Sequence, residues 1–233
     1  MNTSEVNPAT AAPSTSAPRR SRLSRLRGVL ILLALLSVLG WLVYNSHPRP
    51  TMLVSAGLWL VYNVIVSLSL RKRPDAKSAE SMKSRAVHER LLLGGIVLLF
   101  APLPGLTGRF VPDTLTTVAI GLGVQLAGML FYFWSRTYLG RLWSGQITIM
   151  QGHQLVQTGP YRILRHPLYT GFIGMFVGTA IVSGQYHALF GIALCLIAYA
   201  RKIRLEEAAL REEFGEAFDA YRQKRWALIP WVY

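Results

Sequence analysis

The sequence has 233 residues, of which 52% are hydrophobic and only 15% charged, and its 25 Lys and Arg against 11 Asp and Glu leave a formal net charge of +14. With a mean hydropathy of +0.32 and well under the roughly one quarter of charged residues usual in soluble domains, this is not the composition of an ordinary water-soluble globule. The bases cluster between long apolar runs instead of covering one polar face, which argues against a nucleic-acid binder and is the pattern of a membrane protein.

Residues 1–27 are rich in Ser, Thr, Ala and Pro and end in Arg19, Arg20, Arg22, Arg25 and Arg27. Such a segment cannot offset its ordering entropy by burial, and a disordered, basic cytoplasmic tail is expected. The Arg cluster followed by Val29 to Tyr44 also has the form of a signal peptide, but no small-residue cleavage site follows the apolar run, so a retained first helix is expected. Apolar stretches then run from Met52 to Leu70, Leu91 to Leu106, Leu115 to Trp134, Pro167 to Gly184 and Ala188 to Ala200. Measured against the ~20 residues that span a bilayer core, the second and fourth of the six are long enough and the last two are short. The predicted fold is an all-α polytopic membrane helical bundle of about six transmembrane segments. The last two form a hairpin turning at Gly184, Gln185, Tyr186 and His187, and its second arm continues as a cytoplasmic helix through Leu210. Residues 1–27, 28–145 and 146–233 divide into tail, first four helices and a carboxy-terminal functional region.

With a cytoplasmic amino terminus, only Arg49 and Arg109 of the 25 basic residues fall in outer loops. The positive-inside bias therefore places both termini, and any chemistry, on the cytoplasmic side, as in a multi-pass bacterial inner-membrane protein. Gly121, Gly123 and Gly128 sit within an apolar helix without a preceding strand, so they read as helix packing and not as a dinucleotide fingerprint. Gly174 and Gly178 form a G-x-x-x-G contact face. Pro102 and Pro104 are expected to kink the third helix. Arg71 to Arg90 reads as a solvated, lipid-facing connector. The single Cys195 rules out an intrachain disulfide and reads as a small buried apolar residue. No metal-ligand spacing is present.

Two regions carry chemistry. From Gln146 the chain reads through His153 and Val156 to Thr158-Gly-Pro-Tyr161-Arg-Ile-Leu-Arg165-His166-Pro167-Leu-Tyr169-Thr-Gly171. Pro167 suits a first helical turn, which places Arg165 and His166 at the interface. The alternative is a snorkelling Arg beside an interfacial Tyr. Further on, Lys202 and Glu206 at i, i+4 and Arg204 and Glu207 at i, i+3 each share a helix face; a salt-bridged surface helix ending near Gly215 is the plainer reading. Trp226, Trp231 and Tyr233 beside Lys224 and Arg225 read as an interfacial anchor.

Through Gly159-Pro-Tyr-Arg-Ile-Leu-Arg-His-Pro-Leu-Tyr-Thr-Gly171, Leu205-Glu-Glu-Ala-Ala-Leu210 and Phe214-Gly-Glu-Ala-Phe-Asp-Ala-Tyr221, the region from Gln146 to Pro230 resembles the isoprenylcysteine carboxyl methyltransferases, integral membrane enzymes related to the phospholipid methyltransferases. The resemblance implies S-adenosylmethionine as cofactor, bound without a Rossmann domain. It places cofactor contacts at Gln146, His153, Gln154, Leu155, Val156, Tyr161, His166, Pro167, Leu168, Tyr169 and Glu206. It also implies a basic residue meeting the acceptor one turn before that glutamate. Here that position is Lys202 instead of arginine, with Arg201 and Arg204 as neighbours able to take the role; a lysine offers a point charge and not a bidentate fork. Glu207 and His166 are the nearest bases for an amine or thiol acceptor, whereas a carboxylate needs none. The implied acceptor is lipid-like or prenylated and enters from the bilayer. A phospholipid-type N-methyltransferase, an NADPH-dependent membrane reductase of the steroid-reductase type, and a non-enzymatic membrane partner that retains the scaffold stay open.

Overall fold

The computed structural model describes residues 50–69, 77–78, 80–144, 147–149 and 155–232. The expected tail, the first apolar stretch Val29 to Tyr44, Gln146, His153, Gln154 and Tyr233 lie outside the described residues. The elements run α1 (Pro50–Leu68), β1 (Lys77–Ser78), α2 (Met82–Phe100), α3 (Leu115–Leu139), a 3-10 turn (Gly140–Leu142), β2 (Thr148–Ile149), a second 3-10 turn (Gly159–Arg162), α4 (Pro167–Ser183), α5 (Tyr186–Phe214) and α6 (Glu216–Gln223). Apart from one short antiparallel pairing, Lys77 with Ile149 and Ser78 with Thr148, and two isolated bridges, Arg109 with Gln185 and Leu164 with Trp226, the described fold is all-helical. Among the described residues two helices have the length and hydropathy of a bilayer crossing: α1, and α3 with its continuation to Leu142; α4 is apolar but shorter.

Glycine builds the most extensive interface, between α3 and α4. A Cβ on Gly128 would stand 2.7 Å from the Gly171 carbonyl oxygen and from the Met175 amide nitrogen, and one on Gly121 would stand 2.9 Å from the Gly178 carbonyl oxygen. Only residues without side chains allow backbones this close, the usual means of packing helices where apolar burial supplies no drive between them. Gly123 departs from this expectation: its Cβ position faces open space. Its place on α3 turns it away from the seam that Gly121 and Gly128 share.

By contrast, α1 leaves Leu60, Val61, Val64, Ile65 and Leu68 exposed, and its buried residues are Ser55 and Tyr62. A polar clamp pins it. The Ser55 hydroxyl donates to Gln125 Oε1 at 2.8 Å, Gln125 Nε2 donates back to the Ser55 carbonyl at 2.9 Å, and Trp59 Nε1 donates to Thr179 Oγ1 at 3.0 Å. Each buried polar group thereby finds a partner, which an apolar surround demands.

Two expectations for the third apolar segment are corrected. Pro102 and Pro104 kink nothing, because α2 stops at Phe100; proline disfavours helical backbone in the residue before it, and Ala101 is extended at φ −92°, ψ 117°. The helix also starts at Met82 instead of Leu91, capped by the Ser81 hydroxyl accepting from the Ser84 amide at 3.2 Å. Its first turns are charged, so an apolar run understates it. The second half of the expected connector is thus helix, and it faces α5: Arg201 donates to the Ser84 carbonyl at 3.1 Å and hydroxyl at 2.8 Å, while His88 Nδ1 lies 3.1 Å from the Ala198 carbonyl oxygen.

At the other end, Gly184 adopts left-handed backbone (φ 65°) and ends α4, as the hairpin requires. The turn is held by residues 106–110: the Phe110 amide donates to the Gly184 carbonyl at 2.9 Å, and the Tyr186 amide to the Gly108 carbonyl at 2.9 Å. From that turn α5 runs without a break past the apolar stretch to Phe214, carrying Lys202, Glu206 and Glu207 alongside the start of α4. Cys195 is buried on α5, where a Cβ on Gly95 of α2 would meet its Sγ at 2.5 Å.

Candidate active site

The start of α4 is fixed from both sides. Pro167, fully buried, occupies the first helical position, and His166 before it offers its carbonyl to the Tyr169 and Thr170 amides at 3.0 and 3.2 Å. The carboxy-terminal segment lies alongside: the Arg165 amide donates to the Trp226 carbonyl at 2.8 Å, the His166 amide to Ala227 at 3.0 Å, and the Thr170 hydroxyl to Leu228 at 2.7 Å. Tyr221, on α6, ties the preceding turn through its hydroxyl, which donates to the Tyr161 carbonyl at 2.8 Å. Burial pushes that hydroxyl up to about 12.

Against this frame α5 presents its two glutamates. Glu206 accepts a hydrogen bond from the Tyr169 hydroxyl at 2.6 Å and lies 3.7 Å from His166 Nδ1. Glu207 turns to the other ring nitrogen: Oε1 meets His166 Nε2 at 3.1 Å and Arg165 Nε at 2.8 Å, and Oε2 meets Arg222 Nε at 3.2 Å. Burial alone would raise the Glu207 carboxyl, but the hydrogen bonds from His166 and Arg165, with the Arg165 charge, overcome it and hold the group down to about 2. The imidazole, with its side chain 3% exposed, stacks on Tyr169 at 5.5 Å between ring centroids. The aromatic wall continues inward from Tyr169 to Tyr199 at 5.0 Å and from Tyr199 to Phe172 at 5.5 Å.

Of the residues singled out in the sequence, Tyr161 lies on the second 3-10 turn, His166, Pro167, Leu168 and Tyr169 at the start of α4 and Glu206 on α5, with Leu155 and Val156 half-buried ahead of them. The buried Tyr161 hydroxyl has no hydrogen-bond partner among the described residues; burial first, then the nearby Glu206 charge, pushes its ionisation upward. Lys202 places Nζ 5.8 Å from the Tyr169 ring centre. Burial drives its ammonium below the ordinary range, opposed by the Glu206 and Glu80 charges. Arg204 is exposed, and among the described residues no ion pair joins it to Glu207: the expected i, i+3 partner is already taken by Arg165 and Arg222 from other segments. Arg201 is engaged by Ser84.

One cation escaped the sequence reading. Arg136, in the last turn of α3, stacks its guanidinium 3.8 Å over the buried Trp143 ring. Earlier on the same helix, the Tyr132 ring meets Tyr62 of α1 edge to face at 5.0 Å. No ion pair joins Arg136 to a carboxylate among the described residues. The sequence signal was slight: an Arg closing an apolar helix, with a Trp seven places on, reads equally as an interfacial anchor.

Apolar helices of bilayer-crossing length beside an ionisable, aromatic-lined cluster at the polar end of a helical hairpin are the features of a membrane-type protein. Residues 119–212 match the isoprenylcysteine carboxyl methyltransferase (ICMT) family. The match starts earlier, within α3, than the resemblance traced from Gln146, and so takes in Arg136. A probable protein-S-isoprenylcysteine O-methyltransferase of Oryza sativa subsp. indica is 34% identical over 83 residues, covering 34% of this chain and 42% of that protein. The nickel-cobalt-cadmium resistance protein NccN of Alcaligenes xylosoxydans xylosoxydans is 28% identical over 166 residues, 70% of this chain and 75% of that one. Methanethiol S-methyltransferase 1 of Bradyrhizobium diazoefficiens is 35% identical over 71 residues, 30% of this chain and 24% of that one. The chain thus spans under half the length of the methyltransferases it matches.

Proposed function

We propose that the protein is a multi-pass membrane methyltransferase that uses S-adenosylmethionine and methylates a lipidic acceptor, in first place the carboxylate of an isoprenylcysteine-like group. The observation that carries the reading is the convergence of His166, Tyr169 and Glu206 beside the unpartnered, buried Tyr161 hydroxyl. A cationic cofactor with an aromatic base and several N–H and O–H donors fits a wall made of a carboxylate, imidazole, phenol rings and a hydroxyl in want of a partner. Bound there, S-adenosylmethionine would supply a methyl group already activated on a sulfonium.

The chain's own residues then have little covalent work. Glu206 complements positive charge in a partly dehydrated place, where such pairing counts for more than in water. The aromatic wall from Tyr169 to Phe172 excludes water and offers an apolar surface to a greasy chain arriving from the bilayer. Arg136 and Lys202, from opposite helices, orient an acceptor carboxylate, which is ionised at neutral pH and needs no base. Such alignment of a nucleophile is worth ~7 to 11 kcal/mol in favourable cases. The proposed topology has about six spans, both termini on the cytoplasmic side and the site at that interface, with residues 28–145 as the membrane frame and 146–233 as the functional region.

Calorimetry of the detergent-solubilised protein against S-adenosylmethionine and NADPH is the first test, and binding of NADPH alone would replace this reading with the reductase one. Methyl transfer from radiolabelled cofactor to a farnesylated cysteine analogue should then give a base-labile ester. A thiol acceptor is a second reading, favoured by the likeness to a methanethiol S-methyltransferase and by a Lys202 ammonium that burial makes easier to deprotonate. Its product would survive mild base.

A further inference from the structure

We propose that Glu207 is a positioning residue, whose carboxylate fixes the His166 imidazole with its proton on Nε2 and so presents Nδ1 as an acceptor toward Glu206. The proposal rests on the methyltransferase reading only for what the pocket holds; the geometry stands by itself.

A carboxylate accepts hydrogen bonds and donates none. Glu207 Oε1 lies 3.1 Å from His166 Nε2, so a neutral imidazole must donate from that atom, and Nδ1 keeps its lone pair. The ring has no freedom to answer otherwise. Its side chain is 3% exposed, it lies nearly parallel to Tyr169 at 12°, and its backbone is bonded on both sides, the amide to Ala227 and the carbonyl to Thr170. The carboxylate is itself held. Arg165 clasps Oε1 and donates from Nη1 to the carbonyl oxygens of Arg222 and Arg225, so Glu207 is oriented by the carboxy-terminal segment as well as by α5. A carboxylate that sets which imidazole nitrogen carries the proton is a recurring means of aiming a histidine.

On the far side, Nδ1 faces Glu206 Oε2 across 3.7 Å, and that oxygen already accepts from Tyr169. Two acceptors so placed call for a shared donor, and a ligand ammonium or hydroxyl supplies one. Glu207 therefore acts at a distance from the reacting atoms: it turns a donor-or-acceptor ring into an acceptor on the pocket side.

The test uses the full chain in detergent, labelled with 15N-histidine, at about pH 8, above the ordinary histidine range. Long-range 1H–15N correlation reports the tautomer, with His166→Asn assigning the signals. The wild type should show the Nε2–H form, and so should Glu207→Gln, whose amide oxygen still accepts; Glu207→Leu should show mixed tautomers. Turnover should follow: kcat/KM retained in the Gln variant and down at least about tenfold in the Leu variant, the scale of a lost hydrogen bond to a charged group. An imidazolium or an Nδ1–H form in the wild type overturns the proposal. So does an unchanged tautomer in Glu207→Leu. Loss of turnover in Glu207→Gln with the tautomer intact overturns it too, and this arm decides if the Leu variant does not fold. A tautomer that responds as stated in a protein that transfers no methyl group upholds the positioning and sinks the methyltransferase reading.

Discussion

Glu206→Gln exchanges a charged acceptor for a neutral one of the same shape. The carboxylate accepts from the Tyr169 hydroxyl at 2.6 Å and stands 3.7 Å from His166, while the amide can keep at most one such contact and carries no charge against a sulfonium or ammonium. Hydrogen bonds to charged groups contribute about 1.5 to 3 kcal/mol. Such a loss raises the Kd for S-adenosylmethionine by roughly 10- to 150-fold, at about 1.4 kcal/mol per factor of ten. Calorimetry on detergent-solubilised protein reads this directly. Glu212→Gln supplies the control, since Glu212 lies on the same helix and is exposed, further along it than the cluster. The control should leave Kd unchanged. Equal, small shifts in both variants would refute the reasoning and return Glu206 to the solvated face of a salt-bridged helix.

Gly128→Leu should lower the thermal midpoint in detergent by the equivalent of ~1 to 3 kcal/mol or more, because backbone atoms stand 2.7 Å from the new Cβ and cannot give way; Gly123→Leu, facing open space, should not, and equal effects would deny the glycine seam. Glu207, held down to about 2 in the folded protein against an ordinary value of 4.5, stabilises fully above about pH 4.5 and loses that contribution as pH falls toward 2, so acid melting curves should separate wild type from Glu207→Gln above this window and converge within it. His88, lowered to about 4 by burial and then by the Lys202 charge, adds stability above about pH 6.5 that disappears as pH falls toward 4; His88→Gln should flatten that part of the profile, and an unchanged slope would contradict the burial argument. For topology, cysteines placed at exposed Thr107 and Gln223 should react with a membrane-impermeant thiol reagent from outside only at Thr107, and labelling at Gln223 would reverse the proposed orientation.

The helices themselves were legible because their signal is local. Apolar runs gave α1, α3, α4 and the first arm of α5 to within a few residues, and Pro167 and Gly184 marked the ends of α4 for reasons of backbone chemistry alone. The charged first turns of α2 were lost to the same method, since Met82 to Arg90 is helical but not apolar. The two prolines were misplaced by it as well: a proline two residues beyond a helix and one inside it look alike until the last hydrogen bond, from the Ala101 amide to Val97, is seen.

The site divides along a different line. His166, Tyr169 and Glu206 could be named because each stands in a motif, but the partner of each could not, since charge pairing was read along one helix at i, i+3 and i, i+4. The structure pairs across segments instead. Glu207 joins Arg165 and Arg222, which are separated from it along the chain and meet it only because the carboxy-terminal segment folds back on the start of α4. Arg204, nominally in register with Glu207, is left to solvent, and a half-buried cation comes from α3, where Arg136 stacks on Trp143. A helix-face rule assigns ion pairs correctly where a helix is alone in water; where a second segment offers a guanidinium in a drier place, that pairing wins, because the same charges interact more strongly there. The division of labour between the two adjacent glutamates follows from this competition: the one reached by arginines becomes framework, and the one left to a phenol and an imidazole keeps a face for a ligand.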